Sequence, residues 1–501
     1  MIFLKKEKVM KRLIYGLFCI IASIVMNSIE ANSHTFFVPR QTTTNSIFEL
    51  GLNNYAWYHN RSADKEYTYG LYATPFFQQS TKGKDRAKYF FPCNKECLTF
   101  NEINHDPNAI ESLWFGIMSD LNTNLSGTFS MSPRRRAYGS YFNAYFGKEW
   151  SNHSLWFNVA FAVMGVDHSL RMCEKVGEEA GPLSDFELGT INEFTSIISA
   201  LNNSEWDFGK FCCSKLKRSG VDDIQLKLGY DWFFSENADG EGYENHVSPY
   251  LVGTIPTGKR QHSNYIFEPL VGSKNGSFGA GLNADYGLHS GDKSALTWLI
   301  DFKYRYVFGV DQCRSFDLCK NGDWSRYLLV VPSDQRLDTQ QGVNLLTLNT
   351  RVTPGSTIDL WTALHWEFSK FDIEVGYNFW WRQKERIDCK NGLASGYGIF
   401  DIAEATVVPQ SASCANISQG PLAPNQAESD LEFVSITSRD LNFDSAAHPA
   451  AFSSTVYLAA DHRCKNAKHP IIIGVGGQYE FAHRIAALDQ FAIWAKLGIT
   501  F

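Results

Sequence analysis

The sequence predicts an all-β protein of the transmembrane kind: an antiparallel up-and-down barrel of about fourteen strands, roughly twelve to sixteen, with long, partly helical loops. Three observations predict it. Segments of ten to thirteen residues alternate apolar with polar positions, against about 5–6 residues for an ordinary globular strand. Aromatic residues gather toward segment ends, as in Tyr304, Tyr306 and Phe308, or Phe379 and Trp381, and the bilayer interface suits such rings. The polar positions carry charges of both signs in mid-segment, which a dry soluble core tolerates only when paired.

The N-terminus is organised differently. Lys5, Lys6, Lys8, Lys11 and Arg12 precede an apolar run from Leu13 to Met26, followed by polar residues to Ala31. That order predicts a secretory signal peptide over residues 1–31, with cleavage near Ala31. The whole chain of 501 residues carries a net charge of −7. Residues 1–31 hold five basic and two acidic side chains, so the remainder stands near −10. An acidic balance argues against nucleic acid as a partner. Of eleven cysteines, Cys19 lies in the signal peptide, and the ten left in an exported chain suggest disulfides, with 93–97, 313–319 and 389–414 as local pairings. A metal at Cys93 and Cys97 would need two more ligands, and only His105 is near, so neither metal nor cofactor is expected.

Residues 32–65 form an irregular N-terminal segment, a plug or a first strand, with a short helix or that strand near 47–58. The barrel is expected over 66–501, with long loops at 79–123, 166–221, 309–341 and 383–450. The first clear strand has Tyr67, Tyr69, Leu71 and Ala73 on one face. Segments 124–131, 137–148 and 153–164 follow, with Arg134, Arg135 and Arg136 read as a turn that could meet lipopolysaccharide. Leu188, Ile191, Phe194 and Ile198 space like a helix within 183–201. Alternation resumes at 224–232, 245–256, 278–286 and 298–308, and Tyr327–Val331 is a short strand. Then come 342–352, 357–368, 371–382, 451–461, 470–482 and the terminal segment. Barrel termini belong on the side with short turns. Fourteen strands put loop 166–221 on that side; sixteen put 79–123 there.

The last residues alternate Phe491, Ile493, Ala495, Leu497, Ile499 and Phe501 against Ala492, Trp494, Lys496, Gly498 and Thr500. A strand ending on a terminal Phe resembles the assembly signal of bacterial outer-membrane β-barrel proteins, carried here by Phe491, Ile493, Leu497, Ile499 and Phe501. The mature chain resembles outer-membrane transport barrels. Ile255-Pro256-Thr257-Gly258 before a Gly-alternating strand is similar to the channel group for aromatic and long-chain fatty compounds. The resemblance implies the outer membrane, its lipid and lipopolysaccharide, and the barrel-assembly machinery as setting and partners.

The leading functional reading is a porin-like channel for small solutes or hydrophobic compounds. Asp301, Lys303, Arg305, Asp359, His365, Glu367, Asp372, Glu374 and Arg382 are its pore-lining candidates, setting charge preference. The rival is a surface adhesin or structural protein using the Cys-bearing loops. An outer-membrane hydrolase ranks last: His365 and Glu367 share a strand face, but no serine with a recognisable local signature accompanies them.

Overall fold

The computed structural model describes residues 33–52, 66–101, 109–111, 117–119, 127–150, 153–176, 192–194, 196–235, 244–291, 294–333, 340–368, 371–390, 392–402, 431–464 and 469–501. The barrel is built from β1 (Tyr67–Ser80), β2 (Arg134–Trp150), β3 (His153–Ser169), β4 (Ile224–Ser235), β5 (Glu244–Ile255) and β6 (Ser277–Gly291). It continues through β7 (Ser294–Val307), β8 (Gly355–Phe368), β9 (Phe371–Arg382), β10 (Ala451–Cys464), β11 (Ile471–Ala482) and β12 (Gln490–Thr500). Each pairs antiparallel with its sequence neighbours, and β12 closes onto β1 with Gly70 opposite Thr500 and Ser80 opposite Gln490. A closed sheet leaves no unpaired edge, the condition for placing strands in hydrocarbon.

Twelve strands form the wall, and two of the fourteen expected do not join it. Of 124–131, Gly127–Ser130 is a strand, and it pairs with Cys97–Asn101 and Cys173–Val176 in a separate sheet. Of 342–352, Gly342–Leu345 is helical, and Thr347–Thr353 pairs with Val310–Ser315 and Arg386–Cys389. The reason is burial: Phe129, Met131, Val343, Leu346 and Val352 pack into a core formed by the connections. The count of twelve removes the conflict over sides. Tyr67, Trp150, His153, Ser235, Glu244, Gly291, Ser294, Phe368, Phe371, Cys464, Ile471 and Thr500 share one end, where successive strands are close in sequence; Ser80, Arg134, Ser169, Ile224, Ile255, Ser277, Val307, Gly355, Arg382, Ala451, Ala482 and Gln490 share the other.

The wall is inverted relative to a soluble core. Leu228, Leu251, Leu364, Val375, Leu458, Ile473, Ile493 and Leu497 are exposed, while Asn158, Lys227, Asp301, Lys303, Asp359 and Glu374 are buried. In β7 the outer positions are Trp298, Ile300, Phe302, Tyr304 and Tyr306, and Asp301, Lys303 and Arg305 face inward. Such a wall, apolar outside and polar inside, is that of a transmembrane β-barrel. In β12 Ile493, Leu497 and the following Phe501 are exposed, Phe491 and Ile499 are half-buried on the same side, and Lys496 points inward.

The long connections fold together as a cap over one mouth. Phe91, Phe129, Trp206, Phe211, Trp324 and Tyr327 are among its buried residues, and Trp206 stacks on Tyr327 at 4.5 Å. Little of the cap is helical. The expected helix over 183–201 is reduced to Ile197–Leu201, capped by Ser196; 192–194 is a strand, and 183–191 lies outside the described residues. Tyr327–Val331 is a strand only from Leu329, in a small cap sheet. Arg134–Arg136 opens β2 and is not a turn; Arg134 and Arg136 bond to Gln79 across the pair. The nine described cysteines are free thiols, so 93–97 and 313–319 are not bridged. Cys313 lies on a strand against 347–353, whereas the backbone of Cys319 bonds to Asp440 elsewhere in the cap. Cys389 is also free, and Cys414 lies outside the described residues.

Leu458, near the middle of β10, is 58 % exposed on the outer face. Leu458→Arg would place a cation in hydrocarbon at a cost of about 2–4 kcal/mol. It should sharply reduce the fraction of protein running as the compact, heat-modifiable band on a detergent gel. An undiminished band would contradict the assignment of this face to lipid.

Candidate functional site

An irregular segment with almost no periodicity occupies the lumen. Residues 33–52 descend from beneath the cap to mid-barrel and end in a single helical turn, α1 (Ser46–Leu50). Of the short helix or first strand expected near 47–58, the helix is found at its start; 53–58 lies outside the described residues. Asn45 caps α1 through its side chain, leaving its two faces to meet different walls. Ile47 and Phe48 pack on Phe76, Ala137 and Tyr141 of β1 and β2. Glu49 points to the opposite wall.

Glu49 is the centre of the polar contacts. Its Oε1 lies 2.6 Å from Lys227 Nζ, its Oε2 3.4 Å from Lys303 Nζ, and Gln225 Nε2 donates to Oε2 at 3.1 Å. Burial pushes the Glu49 carboxyl up, but the two lysines outweigh it and hold the group at about 2. The rest of the segment is bonded in layers. Arg40 Nη2 donates to Asp359 Oδ2 at 2.7 Å, and Ser46 Oγ to Asp359 Oδ1 at 2.6 Å. Leu52 N–H donates to Glu374 at 3.2 Å, and Lys496 donates to Gly51 O.

Two adjacent acids hold the upper part. Gln41 Nε2 donates to Asp223 at 3.0 Å and Thr43 N–H to Asp222 at 2.9 Å. Neighbouring strand residues normally face opposite sides, yet both are buried. They sit between β4 and the short strand Leu216–Val221, which continues β4's pairing on β3 one residue out of register (Val221 opposite Val163, Gln225 opposite Ala160). A bulge of this kind re-aims side chains. Asp223 also accepts from the N–H groups of Gly258 and Ser273. There Gly258 and Gly272 touch so closely that a Cβ on Gly258 would lie 2.5 Å from Gly272 Cα, and Gly272 has φ +72°. This explains the glycine after Ile255-Pro256-Thr257.

The nine residues singled out from the sequence fall into three groups. Lys303, Asp359, Glu374 and Arg382 contact the N-terminal segment, Arg382 through Val38 O at 3.4 Å. His365, Glu367 and Asp372 gather near the short-turn end around Arg463, whose Nε lies 2.6 Å from Asp372 and whose Nη1 lies 3.5 Å from Glu367. His365 also faces Glu374 at 3.1 Å. These three could offer ligand atoms to a metal, but the Arg463 guanidinium already stands among them, with Asp461 also 3.4 Å from its Nε. Asp301 accepts from Tyr250 at 2.9 Å, and Arg305 borders a cavity under the cap. Glu49, Arg40, Asp222, Lys227, Arg463 and Lys496 escaped notice. Lys227 and Lys496 stood at inward positions of readable strands; the paired acids 222–223 broke an alternation; Glu49 and Arg40 carried no signal.

No family model matches the chain, and neither does the sequence of any curated protein. Solved structures of similar shape do exist. The COG4313 outer-membrane channel of Pseudomonas putida F1 aligns at TM-score 0.39 and 11% identity, covering 87% of this chain and 96% of that one. The P. putida toluene transporter TodX aligns at 0.32 and 8%, covering 93% and 99%. A FadL homologue of Pseudomonas aeruginosa aligns at 0.28 and 8%, covering 87% and 89%.

Removing the Glu49 charge would leave two buried lysines without their shared counter-ion, and breaking such a pair costs about 3–5 kcal/mol. Glu49→Gln should therefore speed amide exchange at residues 46–50 by at least a hundredfold, measured by mass spectrometry. Since the folded pKa is depressed, its contribution is complete above about pH 4.3 and is lost as pH falls through about 2. Protection of α1 should thus survive at pH 4 and fail near pH 2. Unchanged exchange in the variant would show that apolar packing alone holds the helix.

Proposed function

We propose that this protein is an outer-membrane channel for passive movement of small solutes, closed in this state by its own residues 33–52. The observation that carries the reading is the chemistry of the seam. The segment meets the wall through Asp222, Lys227, Lys303, Asp359, Glu374 and Lys496, charged groups on five barrel strands and the β4 bulge. A barrel filled permanently gains as much from apolar residues, because a buried ion pair contributes little net stability. A charged seam can instead rehydrate when the segment leaves, and the groups left on the wall would line a wet passage. In this reading residues 1–31 direct export, and Phe491–Phe501 is the strand presented to the barrel-assembly machinery.

Conductance in planar bilayers is the test. Full-length refolded protein should open rarely, and a variant lacking residues 33–52 should conduct steadily. A second reading, a surface adhesin or scaffold, draws on the cap, whose buried Trp206, Trp324 and Tyr327 give it a folded core of its own. If the deletion variant folds as a heat-modifiable barrel yet never conducts, the channel reading falls and the surface reading takes its place.

A further inference from the structure

Beneath the cap, between residues 38–44 and the loop-side ends of β5 to β9, lies a cavity of about 80 Å³. Its charges are unequal. Arg40, Arg135, Arg305, Arg314 and Arg382 line it, against only Asp222 and Glu385 among the described residues. Arg40 is matched by Asp359 at 2.7 Å, and Arg314 by Glu385 at 3.3 Å. The Asp222 carboxylate is occupied by the N–H groups of Thr43 and Asp223. Arg382 is held by His448 and Val38 O, and Arg135 by Gln78, none of them acidic.

Arg305 is the decisive member. It is 4 % exposed, lines the cavity, and its guanidinium makes no hydrogen bond to any described residue. The carboxylate that acts on it most strongly, Asp359, already accepts from Arg40, Ser46 and Asn378. A buried cation without a counter-ion is costly, and a planar guanidinium fork suits an oxyanion held by two parallel bonds. The remaining wall is apolar and aromatic. Trp380 stands with the guanidinium of Arg40 at 5.5 Å and that of Arg382 at 5.9 Å from its ring centre, beside Met164, Leu270 and Val307.

We propose that this cavity binds a small organic carboxylate, its charged end on Arg305 and its apolar body against Trp380. The proposal rests on the channel reading for its meaning, since it names a solute class and the place where that solute pauses below the cap. The combination of cationic and aromatic lining selects an organic acid over inorganic phosphate, and its modest room selects a compact acid over a long acyl chain.

Calorimetry on the refolded full chain in detergent tests it, with benzoate, benzyl alcohol as its uncharged counterpart, inorganic phosphate, and laurate. Benzoate should bind saturably, and the other three at least tenfold more weakly. Arg305→Gln should weaken benzoate roughly tenfold or more, as expected for one charged hydrogen bond. Because the variant loses an unpaired buried charge, its melting temperature without ligand should not fall, and benzoate should raise the melting temperature of the wild type alone. Equal binding of phosphate or benzyl alcohol would overturn the organic-acid assignment, and tighter binding of laurate the size limit. Undiminished benzoate binding by Arg305→Gln would overturn the role of Arg305, as would a lowered melting temperature in that variant. Liposome swelling keeps the two claims apart. Flux of neutral sugars through the variant lacking 33–52, with no benzoate binding by the full chain, removes the site and leaves the channel; benzoate binding with no flux of any solute does the reverse.

Discussion

Glu49 between Lys227 and Lys303 is the contact on which the interior depends. A barrel wall with a lipid-facing exterior must point its polar alternation inward, so lysines and carboxylates on β4, β7, β8 and β9 are confined to a narrow lumen. Water could solvate them, or protein of opposite charge could. Here residues 33–52 do the second, and Glu49 is the carboxylate shared by two lysines on different strands. The bulge at 222–223, the cap of α1 by Asn45 and the Lys496 contact at Gly51 all serve to deliver that carboxylate to one depth in the barrel.

Much of the wall was legible because membrane strands impose a two-residue period on long stretches of chain. The register of β7 and the two faces of β12 could be read directly from such runs. The strand count could not. Alternation reports that a segment has two unlike faces, and says nothing about whether lipid is on one of them. Gly127–Ser130 alternates, but its apolar residues face the cap core; Thr347–Thr353 does the same beside a helix. The topological rule that termini and short turns share a side held the missing information. It was violated by fourteen strands and by sixteen, and is met by the twelve observed.

The site was harder to see for a different reason. Of its partners, Lys303, Asp359 and Glu374 lie on strands and were readable as inward residues, but what they bind comes from an irregular stretch. Arg40 and Glu49 have no periodic neighbours, and nothing in their local sequence says that one will meet β8 and the other β4 and β7. Only the three-dimensional closure of the barrel brings them together. Asp222-Asp223 is the exception. Two consecutive acids cannot both face a lumen on a regular strand, so a pair of them inside an alternating run marks a bulge.

Both ends of the lumen segment are anchored by buried apolar side chains, and the lower end carries an ionic lock besides. Its upper end is apolar: Phe36 and Phe37 are buried, with Phe37 packed edge-on against Tyr89 and Phe267 of the cap. Withdrawing each phenyl ring into water costs about 1.5–3 kcal/mol, with nothing regained. Its lower end buries Ile47, Phe48, Leu50 and Leu52 in the same way, and adds the ionic contact of Glu49 with Lys227 and Lys303. Once water enters beside α1, the lysines and Glu49 recover their hydration, and an ion pair in water is worth no more than about 1 kcal/mol. The buried lock is therefore strong while dry and weak when wet, whereas the apolar packing at both ends keeps its worth, so wetting the lock alone does not free the segment.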